Sequence, residues 1–315
     1  MERSAPAPGC RSWQPAFEEM LSRVVEGAPA AHERLRDVRD VLRGKITPGR
    51  PLVMLCPHAD DGAITAACLL HEFAVPRGLP VVEVLVFTGE RHVDAPWLND
   101  RKKVSVREGE FRLECEVLGA EPVCWDLEAY RNPGYRPSPA DLDKVVSWFA
   151  ARRPGAVIVP PATDAHTAHR MTRALAAIGL LGAGLSDALV LTGWTPWGPL
   201  PRPNAFFAYD ADAERTKDWA IHCHASQVLL TDYTEFCSHL GRAYAALTRE
   251  WAGGHSLAAG RSKGGENRFV GVELFQIETP EPTADGRPHA DPIQVALNLL
   301  REGQKTPAEG AAVAV

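Results

Sequence analysis

Three chemically active side chains follow directly on a short apolar segment near the start of the chain. Residues 53–65 read VMLCPHADDGAIT, and His58, Asp60 and Asp61 come immediately after the apolar run. Neighbouring carboxylates repel each other, and burying them costs free energy. A divalent cation offsets both effects, because it neutralises the charge and coordinates the side chains. The pattern therefore indicates a metal site; the alternative is a helix-capping cluster, since Asp is a preferred N-cap residue.

A second group of such residues follows another apolar segment, AVIVPP, at residues 156–161. Asp164, His166 and His169 come after it. Loops at the carboxyl ends of strands share one edge of an open parallel sheet, so we expect the two groups to meet. Two histidines and a carboxylate form the three-ligand open site of catalytic zinc. An H-x-x-H spacing alone is common by chance, but two such segments, each after a predicted strand, favour a shared metal site.

The two adjacent aspartates predict a hydrolytic reaction. Asp60 and Asp61 cannot easily face the same ion, so we expect one to bind the metal and the other to contact a water molecule. Zinc lowers the pKa of bound water from about 15.7 to ~7. A neighbouring carboxylate can then accept the water's proton as the oxygen attacks a carbonyl carbon.

The elements that must position these residues form an alternating pattern. Residues 52–56 predict a buried strand, 62–78 a helix and 80–89 a second strand, which is a βαβ unit. Strands and helices continue to alternate to about residue 195, so we expect an α/β fold with a doubly wound, mostly parallel sheet. Further helices are predicted over 100–121, 138–155, 213–230 and 234–253, and further strands over 122–127, 156–161 and 268–278.

The chain is predicted to contain one domain with an extension at each end. Residues 1–47 form an N-terminal helical extension, because apolar residues recur at helical spacing over 14–44. Residues 48–278 form the domain, which has an irregular C-terminal part. Residues 279–315 are rich in proline, glycine and alanine and form a loosely ordered tail.

Composition excludes several classes of partner. The net charge of −6 comes from 34 basic and 40 acidic residues mixed along the chain, without the basic stripe that nucleic-acid binding requires. The N-terminus lacks the apolar core of a secretory signal, so we expect a cytoplasmic protein. Seven cysteines, an odd number with no C-x-x-C, indicate reduced thiols.

One apolar segment, residues 174–194, is long enough to cross a bilayer. Ser186 and Asp187 lie near its middle, and glycines interrupt it. These features favour a buried helix, a loop and a strand, so no membrane contact is expected.

Four segments resemble the LmbE-like (PIG-L) zinc-dependent deacetylases, in the order found in that family. PHADDGAIT resembles the P-H-P-D-D-E segment, and ATDAHTAHRMTRAL resembles the H-P-D-H segment and its helix. VREGEFRLECEVLGAEPVCWDL is similar to the R-x-x-E helix and the strand after it, and KDWAIHCHASQ to the segment Lys-helix-His-x-Ser-Gln. The resemblance covers about residues 52–275 and implies a single-domain Rossmann-like fold.

The resemblance also implies a role for each residue of the two loops. His58, Asp61 and His169 would bind one Zn²⁺ per chain, and Asp60 would act as general base. His166 would stabilise the oxyanion or protonate the leaving amine.

Three further positions are predicted to contact the substrate. Arg107 and Asp126 match positions that contact the sugar in the family, and His224 lies on the last similar segment. The substrate implied is a small molecule with an N-acetylated amino sugar, and specialised-metabolite biosynthesis such as that of antibiotics is the expected setting. The alternatives are an amidase for a larger acyl group or a non-sugar amine, and an inactive binding homologue.

The chain departs from the family pattern at three positions near the site. Ala59 replaces a proline and Gly62 a glutamate. Ala168 stands where an Asp or Asn normally precedes the last histidine, so a residue that orients a ligand is missing or supplied elsewhere.

Two other features have competing interpretations. The tryptophans of residues 193–200 would either stack on a sugar ring or cover the core. Cys56 lies beside the site, but side-chain alternation in a strand predicts a buried structural thiol rather than a nucleophile.

Overall fold

An eight-stranded sheet forms the centre of the part of the chain that the computed structural model describes, residues 35–132, 136–198, 200, 203–251 and 269–278. Its order is β1-β7-β8-β6-β5-β2-β3-β4. β8 is antiparallel to β6 and β7, and the other pairs are parallel, which confirms the predicted fold class. The strands are β1 (Arg36–Asp37), β2 (Leu52–Cys56), β3 (Val81–Leu85), β4 (Glu121–Cys124), β5 (Ala156–Val159), β6 (Leu189–Gly193), β7 (Ala205–Asp210) and β8 (Phe269–Glu278).

The direction of winding reverses at the centre of this sheet. From β2 the chain moves outward to β3 and β4, and from β5, which pairs with the other side of β2, it moves outward to β6. In doubly wound sheets, ligands bind outside the carboxyl ends of the strands at such a switch point. The two loops with the predicted site residues follow β2 and β5, and both therefore lie at the switch point.

Helices cover both faces of the sheet. Along β2, Leu52, Met54 and Cys56 face one core, and Val53 and Leu55 face the other, as strand alternation requires. The helices are α1 (Val38–Val41), α2 (Asp61–Ala74), α3 (Asp100–Leu118), α4 (Pro139–Arg152), α5 (Thr167–Gly182), α6 (Ala211–His222), α7 (Ala225–Val228) and α8 (Tyr233–Trp251), with 3₁₀ turns at Glu90–His92 and Glu128–Arg131. Buried residues of α2, α3, α6 and α8 belong to the first core, and those of α4 and α5 to the second.

Helix α2, which begins at the site, contains a break that a distant carboxylate stabilises. Ala66 has non-helical angles, φ −145° and ψ 17°. Beyond it, the backbone N–H groups of Cys68 and Leu69 each donate to Glu273 of β8 over 3.1 Å. The ammonium of Lys217 in α6 lies 2.9 Å from the same carboxylate. Three elements are thus joined through one buried acid.

Most predicted elements are present, with ends displaced by a few residues. Ser138 precedes α4, and its side chain accepts a hydrogen bond from the Asp141 backbone in a capping box. The apolar residues 174–194 form the end of α5, a loop and β6, as predicted. No helix among the described residues combines the length and the apolar character that a bilayer span requires.

Other elements differ from the sequence-based expectation. β1 and β7 were not predicted, and the helix expected over 213–230 is divided into α6 and α7 near Cys223. Of the predicted N-terminal helix, residues 1–34 lie outside the described residues; the remainder is β1, which pairs with β7, and the single turn α1. The predicted tail over 279–315 also lies outside the described residues.

Candidate active site

The loop after β2 presents three side chains to the switch point. β2 ends at Cys56, a tight turn follows, and α2 begins at Asp61. The backbone N–H of His58 donates to the Asp61 carboxylate over 2.7 Å. This hydrogen bond directs the Asp61 carboxylate back over the turn, towards the His58 ring. Asp60, the residue before the helix, makes no capping bond with its side chain, so the helix-capping alternative does not describe it.

The loop after β5 presents two histidines from the start of α5. His166 immediately precedes the helix, and His169 lies in its first turn. Asp164 holds the loop, because its Oδ1 accepts a 2.7 Å hydrogen bond from the His166 backbone N–H. A second bond, from the Ala165 N–H to the carbonyl of Trp197, attaches the loop to the segment after β6.

The two loops converge on a common point. His58, His166 and His169 can each offer one ring nitrogen such that the three nitrogens lie within 4.8 Å of one another. The Asp61 Oδ2 lies 3.6 Å from the His58 Nδ1 and 3.5 Å from the His169 Nε2. The structure thus brings together the predicted ligands His58, Asp61 and His169, and it places His166, the predicted oxyanion residue, beside them.

The orientation of His169 is that of a metal ligand. Its Nδ1 lies 2.9 Å from the Asp164 Oδ2, which also accepts a hydrogen bond from the Thr195 hydroxyl. Its Nε2 is buried without a hydrogen-bond partner and faces Asp61. A carboxylate on one nitrogen and a free second nitrogen is the usual arrangement of a metal-binding histidine. Asp164 therefore supplies the orienting carboxylate that Ala168 cannot.

The charges of the site also suit a cation. Burial, reinforced by His169, lowers the pKa of His58 well below its usual value, so this imidazole is neutral and able to coordinate. Burial raises the pKa of Asp61 to about 6, although His169 opposes the shift. Three clustered imidazoles and a costly buried carboxylate form a donor set that a dication would stabilise.

Asp60 is held in its ionised form by Arg107. The Arg107 Nη2 donates to the Asp60 Oδ1 over 2.8 Å, and its Nη1 donates to Glu110 over 3.1 Å. Burial would raise the pKa of Asp60, but Arg107, followed by His224, lowers it to about 2. The carboxylate keeps some exposure, with 14% of its side chain accessible, so it can accept a proton from a bound molecule.

The three predicted substrate-contacting residues lie in different surroundings. Arg107 is buried and donates to Asp60, so its effect on the substrate is exerted through the Asp60 carboxylate. Asp126 is exposed at the carboxyl end of β4, with an unusual positive φ of 24°. His224 is 1% exposed and lies 2.7 Å from Glu114. Their role in substrate binding stays a prediction.

Aromatic residues surround the histidines, and of these the sequence interpretation considered only the tryptophans of residues 193–200. The His92 ring lies 5.8 Å from that of His58, and the Trp197 ring 5.3 Å from that of His169. Tyr233 follows at 6.3 Å from Trp197. His92 could have been found, because it follows β3 and so belongs to the same edge of the sheet. The two tryptophans differ in position. Trp197 lies at the site, beside His169, whereas the buried Trp194 belongs to the core.

A family model covers the two loops and the elements between them. Residues 53–178 match PIG-L, described as GlcNAc-PI de-N-acetylase. This segment is a PIG-L domain. The PIG-L domain contains both histidine loops together with Asp60 and Arg107, whereas His224 and β7 and β8 follow it in the chain.

Solved structures share the fold over most of the chain. N,N'-diacetylchitobiose deacetylase from Pyrococcus horikoshii is 18% identical, with a TM-score of 0.55, and covers 85% of this chain and 97% of its own. The A40926 pseudoaglycone deacetylase Dbv21 is 18% identical, with a TM-score of 0.52, and covers 74% and 98%. At such identity the likeness shows the fold alone.

A third solved structure is that of an enzyme named for a different reaction. The 4-carboxy-2-hydroxymuconate hydratase GalB from Pseudomonas putida KT2440 is 18% identical, with a TM-score of 0.58, and covers 74% of this chain and 98% of its own. Since this fold serves both deacetylases and a hydratase, the reaction must be argued from the site. A comparison with curated proteins finds no significant match.

Proposed function

We propose that the protein is a zinc-dependent hydrolase that removes an N-acetyl group from a small molecule containing an amino sugar. The observation that carries this proposal is the convergence of His58, Asp61 and His169 next to the ionised Asp60. Membership of the matched segment in a family described as de-N-acetylases supports the reaction type.

His58, Asp61 and His169 would hold the ion. Two imidazole nitrogens and one carboxylate oxygen match the donor set of catalytic zinc, which keeps a position open for water or substrate. When bound, zinc lowers the pKa of a coordinated water to ~7 and polarises a carbonyl group. The orphaned Nε2 of His169, fixed by Asp164, supports this assignment.

Asp60 would act as the general base, and His166 would donate a hydrogen bond to the oxyanion. Arg107 keeps Asp60 ionised, so this carboxylate can accept the proton of the attacking water. Burial and the neighbouring His169 lower the pKa of His166, which keeps its imidazole neutral. A neutral imidazole can donate one N–H to the oxygen that becomes negative as the amide is attacked.

The surroundings of the site favour a sugar substrate. Trp197 and Tyr233 present ring surfaces beside the histidines, and aromatic faces commonly pack on sugar rings. The chitobiose and antibiotic deacetylases that share the fold are named for amino-sugar or antibiotic substrates. We place the substrate in this class, with specialised-metabolite biosynthesis in the cytoplasm as the setting.

Metal analysis and acetate release test the proposal together. Purified protein is assayed for zinc and for acetate release from N,N'-diacetylchitobiose, N-acetylglucosamine conjugates and N-acetylated aminoglycosides, with longer N-acyl analogues alongside. We expect Asp60→Asn to retain zinc and to lose turnover by about 10²-fold or more. Asp143→Asn, on the exposed face of α4, is the matched control and should keep both.

The outcomes distinguish the alternatives. Release of only the longer acyl groups would identify an amidase of different specificity. A zinc-loaded protein that hydrolyses no amide would contradict the proposal and indicate a binding homologue. Full turnover in Asp60→Asn would contradict the assignment of the general base.

A further inference from the structure

Two buried glutamates occupy the space that a side chain at position 62 would need. Gly62 lies in the first turn of α2, and a Cβ atom built on it would be 2.1 Å from the Glu83 Oε2 and 2.8 Å from the Glu114 Oε1. The Cys56 Sγ would be 3.2 Å away. Real Cβ atoms do not approach other atoms as closely as the first two distances. The carboxyl groups of β3 and α3 therefore fill the position that glycine leaves empty.

Glu83 and Glu114 cannot both carry a charge. Both are completely buried, and one oxygen of each lies close to the same point. Glu83 contacts the Cys56 thiol at 3.6 Å, and its other oxygen has no hydrogen-bond partner. Two adjacent carboxyl groups in an apolar environment retain at least one proton. Glu83 contacts thiols, which form weak hydrogen bonds, whereas Glu114 lies 2.7 Å from the Nε2 of His224, which can donate an N–H to a carboxylate, so we place the proton on Glu83.

Glu114 connects this pair to His224. Its Oε2 lies 2.7 Å from the His224 Nε2, and His224 is almost fully buried between α6 and α7. The Nδ1 of His224 is buried without a hydrogen-bond partner. Burial lowers the pKa of His224 to about 4, with Asp60 opposing the shift and Arg107 adding to it, so the imidazole is neutral. The imidazole thus has one nitrogen fixed by an acid and the other free behind the site.

Helix α3 joins the same segment to the proposed general base through a second carboxylate. Glu110, one turn before Glu114, accepts hydrogen bonds from the Ser226 N–H at 2.7 Å and the Ser226 hydroxyl at 2.8 Å. Glu110 also accepts from Arg107, which donates to Asp60. One face of α3 therefore holds both Asp60 and the segment that carries His224.

We propose that Glu83 and Glu114 are positioning residues that together fix the His224 imidazole behind the Asp60–Arg107 pair, and that Gly62 supplies the space their carboxyl groups require. The effect of this arrangement on catalysis rests on the proposed function. The arrangement of Gly62, Glu83, Glu114 and His224 does not, and it can be tested on protein without substrate.

A double-mutant cycle in thermal unfolding tests whether the carboxyl groups occupy the space beside Gly62. Gly→Ala stabilises a helix when nothing opposes the methyl group. We expect Gly62→Ala to lower the Tm of the wild type, because the methyl group meets both carboxyl groups, and to lower the Tm of Glu83→Ala by much less, because the closer of the two carboxyl groups is then absent. Gly109→Ala is the matched control, since Gly109 lies in α3 with nothing within 4 Å of its Cβ position, and it should raise both Tm values. An equal effect of Gly62→Ala in both backgrounds would overturn the proposal.

Nitrogen NMR of ¹⁵N-labelled histidine tests the hold on His224. Glu114→Gln should shift the ring-nitrogen resonances of His224, since the amide cannot replace the acid on Nε2, whereas Glu116→Gln on the exposed face of α3 should not. Unchanged His224 resonances in Glu114→Gln would overturn the proposal.

Kinetics then tests the link to the reaction. We expect Glu114→Gln to lower kcat about 10-fold with little change in KM, the size typical for residues that orient a functional group. Glu83→Gln should retain more of kcat than Glu83→Ala, because a neutral amide of the same shape replaces a neutral acid. A wild type without amidase activity would remove the proposed function, while the unfolding cycle and the NMR experiment would still decide whether the pair holds His224. An active Glu114→Gln with unchanged kcat would overturn the positioning role.

Discussion

At the scale of single residues, the carboxylate of Asp164 determines which nitrogen of His169 faces the proposed cation site. Asp164 is buried and lies 2.9 Å from the Nδ1, so the Nε2 is directed towards Asp61. Although burial opposes the shift, the hydrogen bond with His169 lowers the pKa of Asp164, which therefore stays ionised. An ionised partner also makes the imidazole a better electron donor to a metal.

Replacing Asp164 with Asn should weaken metal binding by about 10- to 100-fold, the usual effect of removing such a partner. The amide can still contact His169, but it carries no charge and offers a single acceptor. The measurement is competition for zinc with a chelator of known affinity. Asp143→Asn serves as the control, and unchanged affinity in Asp164→Asn would show that the Asp164–His169 contact does not tune the ligand.

A second prediction at this scale concerns Glu83 and pH. Burial, with the adjacent Glu114, raises the pKa of Glu83 well above its usual value. The unfolded chain releases this proton above about pH 4.3, whereas the folded protein keeps it. The contribution of Glu83 to the free energy of unfolding is therefore fully present below that pH. It decreases as the pH rises towards the pKa of Glu83 in the folded protein, by up to about 1.4 kcal/mol per pH unit.

Glu83→Gln should remove this dependence, because the amide does not titrate. The Tm of Glu83→Gln relative to the wild type should therefore be higher at pH 8 than at pH 5. Thermal unfolding at the two pH values measures the difference, and the exposed Glu116→Gln serves as control. A constant difference would mean that Glu83 is ionised in the folded protein.

The residues that could be predicted from the sequence are those whose role follows from local position. His58, Asp60 and Asp61 follow a strand end directly, and His169 follows another, so their convergence could be predicted. The pairing of Glu83 with Glu114 could not, because it depends on how β3 and α3 approach each other across the first core.

At the scale of elements, helix α2 carries the site at its first residue and depends on β8 at its centre. The break at Ala66 leaves backbone N–H groups without helical partners, and Glu273 accepts from two of them. Lys217 compensates the charge of Glu273, and both side chains are buried. Burial alone would lower the pKa of Lys217, but Glu273 raises it, so the pair is ionic.

Glu273→Gln should destabilise the protein by roughly 3 kcal/mol, because it leaves the Lys217 charge buried without a partner. Adding Lys217→Met should recover part of the loss, since the double variant contains no unpaired charge. Urea unfolding of the wild type, Glu273→Gln, Lys217→Met and the double variant measures the coupling. Asp40→Asn, which removes an exposed pair with Arg43, should change stability by less than about 1 kcal/mol.

The predicted elements were those with a clear hydrophobic period and ends marked by turn residues. β2, α2 and β3 are of this kind, and all three are present. β7 was missed because its short run, AFFAYD, lacks alternating apolar and polar residues and passes directly into α6 at Asp210, which caps that helix. The antiparallel insertion of β8 between β6 and β7 could not be predicted, since pairing between distant strands leaves no local pattern.

At the scale of the whole molecule, the proposed metal site joins two halves of the sheet. The loops after β2 and β5 belong to opposite directions of winding and are far apart in the sequence. A ligand bound by both stabilises the folded state, because the unfolded chain does not bring them together. The free energy of unfolding should therefore depend on free zinc.

Zinc at 100 times its dissociation constant should stabilise the protein by about 2.7 kcal/mol, and chelation should reverse the effect. Calorimetry or dye-monitored unfolding with zinc or a chelator measures the shift in Tm. The same titration on His169→Ala is the control and should show a much smaller shift. A wild-type Tm that does not respond to zinc would argue against the site.

The placement of β8 has a consequence for synthesis on the ribosome. Among the strands that the structure describes, β1 and β7 join the rest of the sheet only through β8, and residues 269–278 leave the exit tunnel last. During that interval the edges of β6 and β7 that later pair with β8 are both unpaired, and unpaired strand edges are sites of aggregation in nascent chains. We therefore expect slow translation between β7 and β8 to lower the yield of soluble protein, even though every proposed metal ligand has already emerged.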